Sequence, residues 1–316
     1  MYSSPRSAHQ TPTSPRRDAN RSERIGAAIM PASHQERDLA MPELPEVETV
    51  VRYLQPLLLG RRVVSVRAAR QRLRSPIPRN ALRLLIGQTF TAVRRRGKWI
   101  VLTLQQHCLL VHLGMTGRLQ VLHADTPLAR HCHLVCWLAP EPRQLRYTDA
   151  RRFGAIHVLP PAEAERFLER QLGPEPFCLS AVALHHRLQA TARPLKVALL
   201  DQRLLAGLGN IYADESLYQA GLFPKRAANT LSLCEAGRLV NAIRTVLHRA
   251  IACQGSSIRD YLFGENGRGS YQEEFLVYGR DQQPCRRCSQ PIQRCRLAGR
   301  STYFCPRCQP QKPTTR

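Results

Sequence analysis

Near its C-terminus the chain reads Cys285-Arg-Arg-Cys288, sixteen further residues, then Cys305-Pro-Arg-Cys308, a C-x2-C-x16-C-x2-C array. No other stretch restricts the possible folds as tightly. Two knuckles of two thiolates each can close around one tetrahedral Zn2+ ion at the ends of a short hairpin, so residues 277 to 312 are expected to form a zinc finger. Sulfur from Cys285, Cys288, Cys305 and Cys308 would fill all four positions, leaving none for water or substrate, and the metal is expected to be structural. Cys295 lies off both knuckles. The remaining cysteines are scattered and no apolar leader precedes them, the pattern of reduced, cytoplasmic thiols.

Arginines at 286, 287, 294, 296, 300 and 307 make the finger basic, and the bias runs through the whole chain: 47 Lys and Arg against 23 Asp and Glu. A polyanion is the partner such a surface suits, and nucleic acid meets it through phosphate neutralisation and counterion release. A generally basic surface without a partner is the plainer alternative. At 316 residues the chain has about twice the length of one average domain. No apolar run is long enough to span a membrane.

Residues 1 to 40 are rich in Ser, Pro, Arg and Ala and carry no hydrophobic period, so they are expected to be a disordered extension or to precede a misplaced start. They hold six arginines and four acids, leaving +22 on residues 41 to 316; the basicity belongs to the folded part. From Met41 the pattern changes. Pro45 can open a helix at its first position, and Val47, Val50, Val51, Leu54 and Leu58 recur at helical spacing. β-Branched segments follow at 61–68, 89–105, 107–122, 133–138 and 144–159, then a helix at 161–172, which together predict a mostly antiparallel sandwich over residues 41 to 172. Beyond Gly173-Pro174-Glu175-Pro176 the pattern turns helical at 180–190, 194–206, 211–220 and 231–252, with Ser232 and Glu235 as a capping box. A glycine-rich loop at 254–271 is expected to be mobile and closes a second domain running from 173 to 276.

The segment Met41-Pro42-Glu43-Leu44-Pro45-Glu46 carries the sharpest chemical hint. If translation starts at Met41 and the methionine is removed, Pro42 becomes an N-terminal secondary amine, and a typical α-amino pKa of about 7.7 to 8 makes it a nucleophile near neutral pH. Glu43 beside it could then transfer protons. Taken alone, the same residues read more simply as a Pro/Glu-rich helix start.

Several stretches in register extend that hint: MPELPEVET from Met41, RGKW from Arg96, HLGMTG from His112, YTDARRFG from Tyr147, GLGNIYADESL from Gly207, QGSSIRDY from Gln254, VYGR from Val277 and the cysteine array. Over nearly all of residues 41 to 310 the chain resembles the bacterial formamidopyrimidine-DNA glycosylases, which excise 8-oxoguanine and ring-opened purines. The resemblance implies an α+β fold, an N-terminal antiparallel β-sandwich with a leading helix and a C-terminal helix-two-turns-helix domain with a four-cysteine zinc finger. It implies a monomer that acts on double-stranded DNA containing damaged bases. Pro42 would be the nucleophile forming a Schiff base, Glu43 the acid/base, Lys98 the proton donor for β elimination and Arg300 the residue for δ elimination. Met115, Arg151 and Phe153 would fill the void left by the extruded base. His131, Arg152, Lys196 and Asn210 would contact the DNA backbone, Asn210 at a helix start that offers N–H groups to phosphate, and Arg259 would lie near the tip of a lid over the flipped base.

Without the resemblance, Lys98 and Arg300 read as generic phosphate-binding cations, and Met115 and Phe153 as core residues. Ala150 departs from the proline that usually precedes the Arg-Arg-Phe segment. Two other readings stay open: the related branch that prefers oxidised pyrimidines, and a catalytically inert DNA-binding module.

Overall fold

The computed structural model describes residues 41–69, 73–257, 262–264 and 267–311. The extension 1 to 40 and Arg259 lie outside the described residues.

Helix α1 (Leu44–Leu58) starts with Pro45 at its second position rather than its first, still inside the turn whose N–H groups need no helical partner. The Glu46 carboxylate closes that turn by accepting the Glu43 N–H at 2.9 Å. Then come β1 (Arg62–Ala68), a short α2 (Arg79–Arg83) that the sequence did not announce, β2 (Phe90–Arg96), β3 (Trp99–Leu104), β4 (Cys108–His112), β5 (Arg118–His123), β6 (Cys132–Ala139), β7 (Arg143–Thr148) and β8 (Ala155–Leu159). They form two four-stranded antiparallel sheets, ordered β1-β6-β7-β5 and β2-β3-β4-β8. Ile100, Leu102, Leu109, Leu134, Leu145 and Ile156 fill one core together with the valines of α1.

The expected β segments 107–122 and 144–159 each split in two, and the halves lie in different sheets. HLGMTG and YTDARRFG are therefore crossovers between sheets, which is why each carries glycine. A Cβ on Gly114, whose φ is +64°, would come within 2.6 Å of the Gly154 nitrogen, so the two crossovers meet backbone to backbone.

Helix α3 (Pro161–Gln171) covers the outer face of β3 and β4, and α4 (Ala181–Gln189), α5 (Leu195–Leu199), α6 (Asn210–Ala220) and α7 (Leu233–Ala252) follow. The helix expected over 194–206 ends early. The Asp201 carboxylate accepts the Arg203 N–H at 3.0 Å and Gln202 Oε1 accepts the Gly207 N–H at 2.9 Å, so side chains replace the helical hydrogen bonds. The capping box of α7 forms, with Ser232 Oγ accepting the Glu235 N–H and Glu235 Oε2 accepting the Ser232 N–H.

Strands β9 (Gln293–Leu297) and β10 (Arg300–Phe304) make the last hairpin. Cys285, Ile292, Tyr303 and Cys305 share a core with Leu199, Ile211, Leu239 and Ile243, so the hairpin packs into the helical domain. Leu44 joins that core while the rest of α1 belongs to the sandwich, and α1 therefore staples the two halves at the residue after Glu43. Among the described residues no helix is long and apolar enough to cross a membrane.

Candidate active site

Glu43 is buried against the start of α6. Its Oε1 accepts the Ile211 N–H at 2.9 Å and its Oε2 the Tyr212 N–H at 3.4 Å. Gly209 makes this approach possible, because a Cβ there would sit 2.2 Å from the Glu43 carboxyl carbon. The helix start expected to hold a phosphate is thus partly occupied by a carboxylate of the chain itself. Burial lifts the Glu43 carboxyl from 4.5 to about 7; Glu46 also raises it, while Lys98 and the Ile211 and Tyr212 N–H groups work in the opposite direction.

Lys98 lies with Gly97 in the turn between β2 and β3 and is buried. Burial pushes its ammonium below the usual lysine range and Arg300 adds to that, while Glu43 and Glu46 pull it up. These effects bring Glu43, Glu46, Lys98 and Arg300 into one electrostatic cluster drawn from the sandwich and the finger. The turn itself is clamped to the interdomain connection: Glu175 accepts the Gly97 N–H at 2.7 Å and pairs with Arg95 at 2.8 Å and Arg96 at 3.0 Å.

Three further groups complete the site, and none was singled out from the sequence. Glu46 accepts the Tyr212 hydroxyl at 2.5 Å and the Ser256 N–H at 2.7 Å, tying the start of α1 to the base of the glycine-rich loop. Burial, reinforced by Lys98 and Arg74, lowers His112 to about 4, so its ring is neutral near pH 7. Its Nδ1 accepts the Gly114 N–H at 3.1 Å, which leaves the proton on Nε2 as a donor. Glu175 is the third. A quoted motif contained His112, but spacing carries no signal for its role.

On the sandwich surface Phe153 is 45% exposed, so it is not a core residue, and Met115 is half-buried beside the same pair of crossovers. The exposed Arg151 holds its guanidinium 4.9 Å from the Phe153 ring centroid. Arg152 and His131 are exposed at left-handed backbone positions, with φ of 59° and 64°. Asn210 Nδ2 donates to the Tyr278 hydroxyl at 3.5 Å, while its buried Oδ1 has no hydrogen-bond partner among the described residues, leaving one amide atom uncommitted. Arg300 is exposed at the start of β10.

Lys196 requires a correction, because it is fully buried and cannot meet a DNA backbone as placed. Its Nζ pairs with Asp214 at 2.8 Å and donates to the Ser301 carbonyl at 2.7 Å, and Asp214 in turn accepts the Tyr303 N–H at 3.0 Å. The pair pins β10, with Arg300 at its head, to α6. Lys196→Ala should leave Asp214 uncompensated and cost about 3 to 5 kcal/mol, read as a drop in the thermal unfolding midpoint; an unchanged midpoint would contradict this account.

The four finger cysteines hold their sulfurs within 4.8 Å of one another. Separations of 3.8 Å for Cys285–Cys308 and 3.5 Å for Cys288–Cys305 suit a tetrahedron with Zn–S bonds of about 2.3 Å. The Tyr218 hydroxyl lies 3.2 Å from Cys285 Sγ, and the Arg287 N–H donates to the same sulfur at 3.4 Å, so α6 supports the knuckle. These residues form a structural site for one zinc ion.

Residues 41–156 match the formamidopyrimidine-DNA glycosylase N-terminal domain, 172–261 the H2TH domain of the same enzymes and 282–311 the zinc finger found in FPG and IleRS. The formamidopyrimidine-DNA glycosylase of Syntrophotalea carbinolica is 44% identical over 273 residues, covering 85% of this chain and 100% of that protein. The chain belongs to the formamidopyrimidine-DNA glycosylase family. A second such glycosylase, from Moorella thermoacetica, is 48% identical over 261 residues, 81% of this chain and 95% of its own. In three dimensions a Lactococcus lactis FPG variant bound to Fapy-dG-containing DNA superposes with a TM-score of 0.78 at 35% identity, covering 85% of this chain and 100% of that one. Lactococcus lactis Fpg bound to DNA with an abasic site gives 0.77 at the same identity and coverage. The formamidopyrimidine-DNA glycosylase family thus supplies the fold expected from the sequence, an antiparallel sandwich joined to a helix-two-turns-helix domain with a four-cysteine finger.

Proposed function

We propose that the protein is a bifunctional DNA glycosylase and AP lyase that removes 8-oxoguanine and formamidopyrimidines from double-stranded DNA, working as a monomer in the cytoplasm. The observation that carries the reading is the Glu43 carboxyl beside Pro42, buried, lifted to about 7 and facing Lys98, a proton donor poised for neutral pH next to a potential amine nucleophile. Glu43 gives its proton to O4′ as the C1′–O4′ bond opens and the Pro42 nitrogen attacks C1′; the proton this nitrogen loses passes to the base, whose bond to C1′ then breaks as an iminium forms. The cationic iminium acidifies C2′, so the 3′ phosphate leaves by β elimination with Lys98 as proton donor. The 5′ phosphate follows by δ elimination beside Arg300, whose charge offsets that of the leaving group.

Met115, Arg151 and Phe153 fill the gap in the stack, the thioether and ring as apolar wedges and the guanidinium as a donor to the orphaned cytosine. His131, Arg152 and Asn210 hold phosphates. Arg259 belongs to the lid. The zinc ion keeps the finger folded and takes no part in the chemistry. Domains of 41 to 172, 173 to 276 and 277 to 312 divide this labour.

The mechanism needs an unacylated Pro42 nitrogen, so the working enzyme begins at Pro42 and lacks residues 1 to 41. Borohydride reduction of the enzyme on lesion-containing duplex, followed by peptide mapping, should place the adduct on an N-terminal peptide starting at Pro42. An adduct on a lysine, or none, would refute the reading. Preference for thymine glycol over 8-oxoguanine opposite cytosine would overturn the substrate assignment.

A further inference from the structure

Asp149 is fully buried in the crossover that carries Phe153 and reaches across to the one that carries Met115. Its Oδ1 accepts the Thr116 hydroxyl at 2.6 Å and the Arg151 N–H at 3.2 Å. Its Oδ2 accepts the Gly154 N–H at 2.8 Å and the Tyr147 hydroxyl at 3.2 Å. The backbone extends the reach: the Asp149 N–H donates to the His131 carbonyl at 3.1 Å, and its own carbonyl lies 2.9 Å from His133 Nε2. One residue thereby touches every sandwich turn that presents a proposed DNA contact. Thr116 Oγ1 also accepts the Arg151 N–H at 3.1 Å, a second tie between the same turns.

We infer that Asp149 is a positioning residue that locks the Met115 turn and the 151–153 turn into one pre-formed wedge for the DNA stack. The inference rests on the void-filling role proposed above and deepens it. Phe153 is exposed and has little packing of its own, so its direction is set by its backbone, and that backbone is held between the Arg151 and Gly154 N–H bonds to a single carboxylate. Only a carboxylate satisfies all four donors. In Asp149→Asn the amide NH2 faces a backbone N–H in either orientation, Arg151 on one side and Gly154 on the other. The Thr116 and Tyr147 hydroxyls can rotate to become acceptors, but a backbone N–H cannot. One end of the 151–153 turn is therefore loosened, Gly154 losing its acceptor or Arg151 being left with Thr116 Oγ1 alone, while the residues of the chemistry stay in place.

The test uses zinc-loaded enzyme beginning at Pro42, with three readouts. Single-turnover excision of 8-oxoguanine opposite cytosine should fall about 10- to 100-fold in Asp149→Asn, the cost of an unmet hydrogen bond to a buried charged group. The fluorescence rise of 2-aminopurine placed beside the lesion, which reports unstacking by the wedge, should be lost in parallel. Borohydride trapping on a single-stranded abasic oligonucleotide, which has no stack to open, should be unchanged. Thr116→Val, a milder cut in the same network, should shift the first two readouts in the same direction, and Thr116→Ser should restore them. This pair keeps the test decisive if Asp149→Asn does not fold. Unaltered duplex excision in both Asp149→Asn and Thr116→Val overturns the inference, as does a matching loss of single-strand trapping, which would make Asp149 a support of the whole fold. A wild-type protein that unstacks the duplex but traps no sugar would instead defeat the imine chemistry and leave the wedge standing.

Discussion

Glu43→Gln should lower excision of the damaged base by about 10²- to 10⁴-fold, the range that one positioned general acid contributes. The amide keeps the size of the side chain and can still accept the Ile211 N–H, but it has no proton to give. Burial raises the wild-type carboxyl to about 7, so the acid form dominates below that pH and excision should decline as pH rises through it. In Glu43→Gln this descending limb should vanish. Stability should respond with a definite sign. The folded protein keeps a proton that the unfolded chain releases from about 4.5 upward, so this group's contribution is full below its unfolded pKa and is lost as pH rises through about 7. Above that pH wild type buries a charge where glutamine is neutral, and Glu43→Gln should be no less thermally stable than wild type at pH 8. Rate profiles and unfolding midpoints between pH 5 and 9 check both points; undiminished excision by Glu43→Gln would remove Glu43 from the mechanism.

Loss of the zinc ion should have the other large effect. Structural zinc supplies on the order of 10 kcal/mol of folding energy to a small finger, and the 277–311 segment has few alternatives, since Cys285 and Cys305 are themselves part of the buried core. Stripping the metal, or replacing Cys305 by Ala, should unfold the β9–β10 hairpin. Arg300 then leaves the cluster around Lys98, and the buried Lys196–Asp214 pair loses the Ser301 carbonyl and the Tyr303 N–H it now binds. Metal analysis should find one zinc per chain in wild type and none in Cys305→Ala, and affinity for lesion-containing duplex should collapse in step. Full duplex affinity without metal would show that the finger holds no DNA contact.

How much of this was legible beforehand depended on where the information lies. The zinc ligands were plain because coordination geometry demands fixed spacing within a short stretch. The helices around Val47 to Leu58 and 233 to 252 were plain for the same local reason: a 3.6-residue period shows in any window. The continuous β readings at 107–122 and 144–159 failed because alternation marks a strand but not the sheet it joins, and the crossovers needed Gly114 and Gly154 to touch.

The sequence by itself therefore determined the metal site, the kinds of element and the motifs that mark Pro42, Glu43 and Lys98, since each is written in neighbouring residues. Only the tertiary structure decided what those residues meet. Glu43 takes N–H groups from a helix 168 positions away, Lys196 turns inward to Asp214 instead of outward to a phosphate, and Asp149 gathers separate turns around one carboxylate. Burial and pairing belong to the packed chain, and desolvation, which sets the charge state of Glu43 and the fate of Lys196, has no counterpart in local spacing.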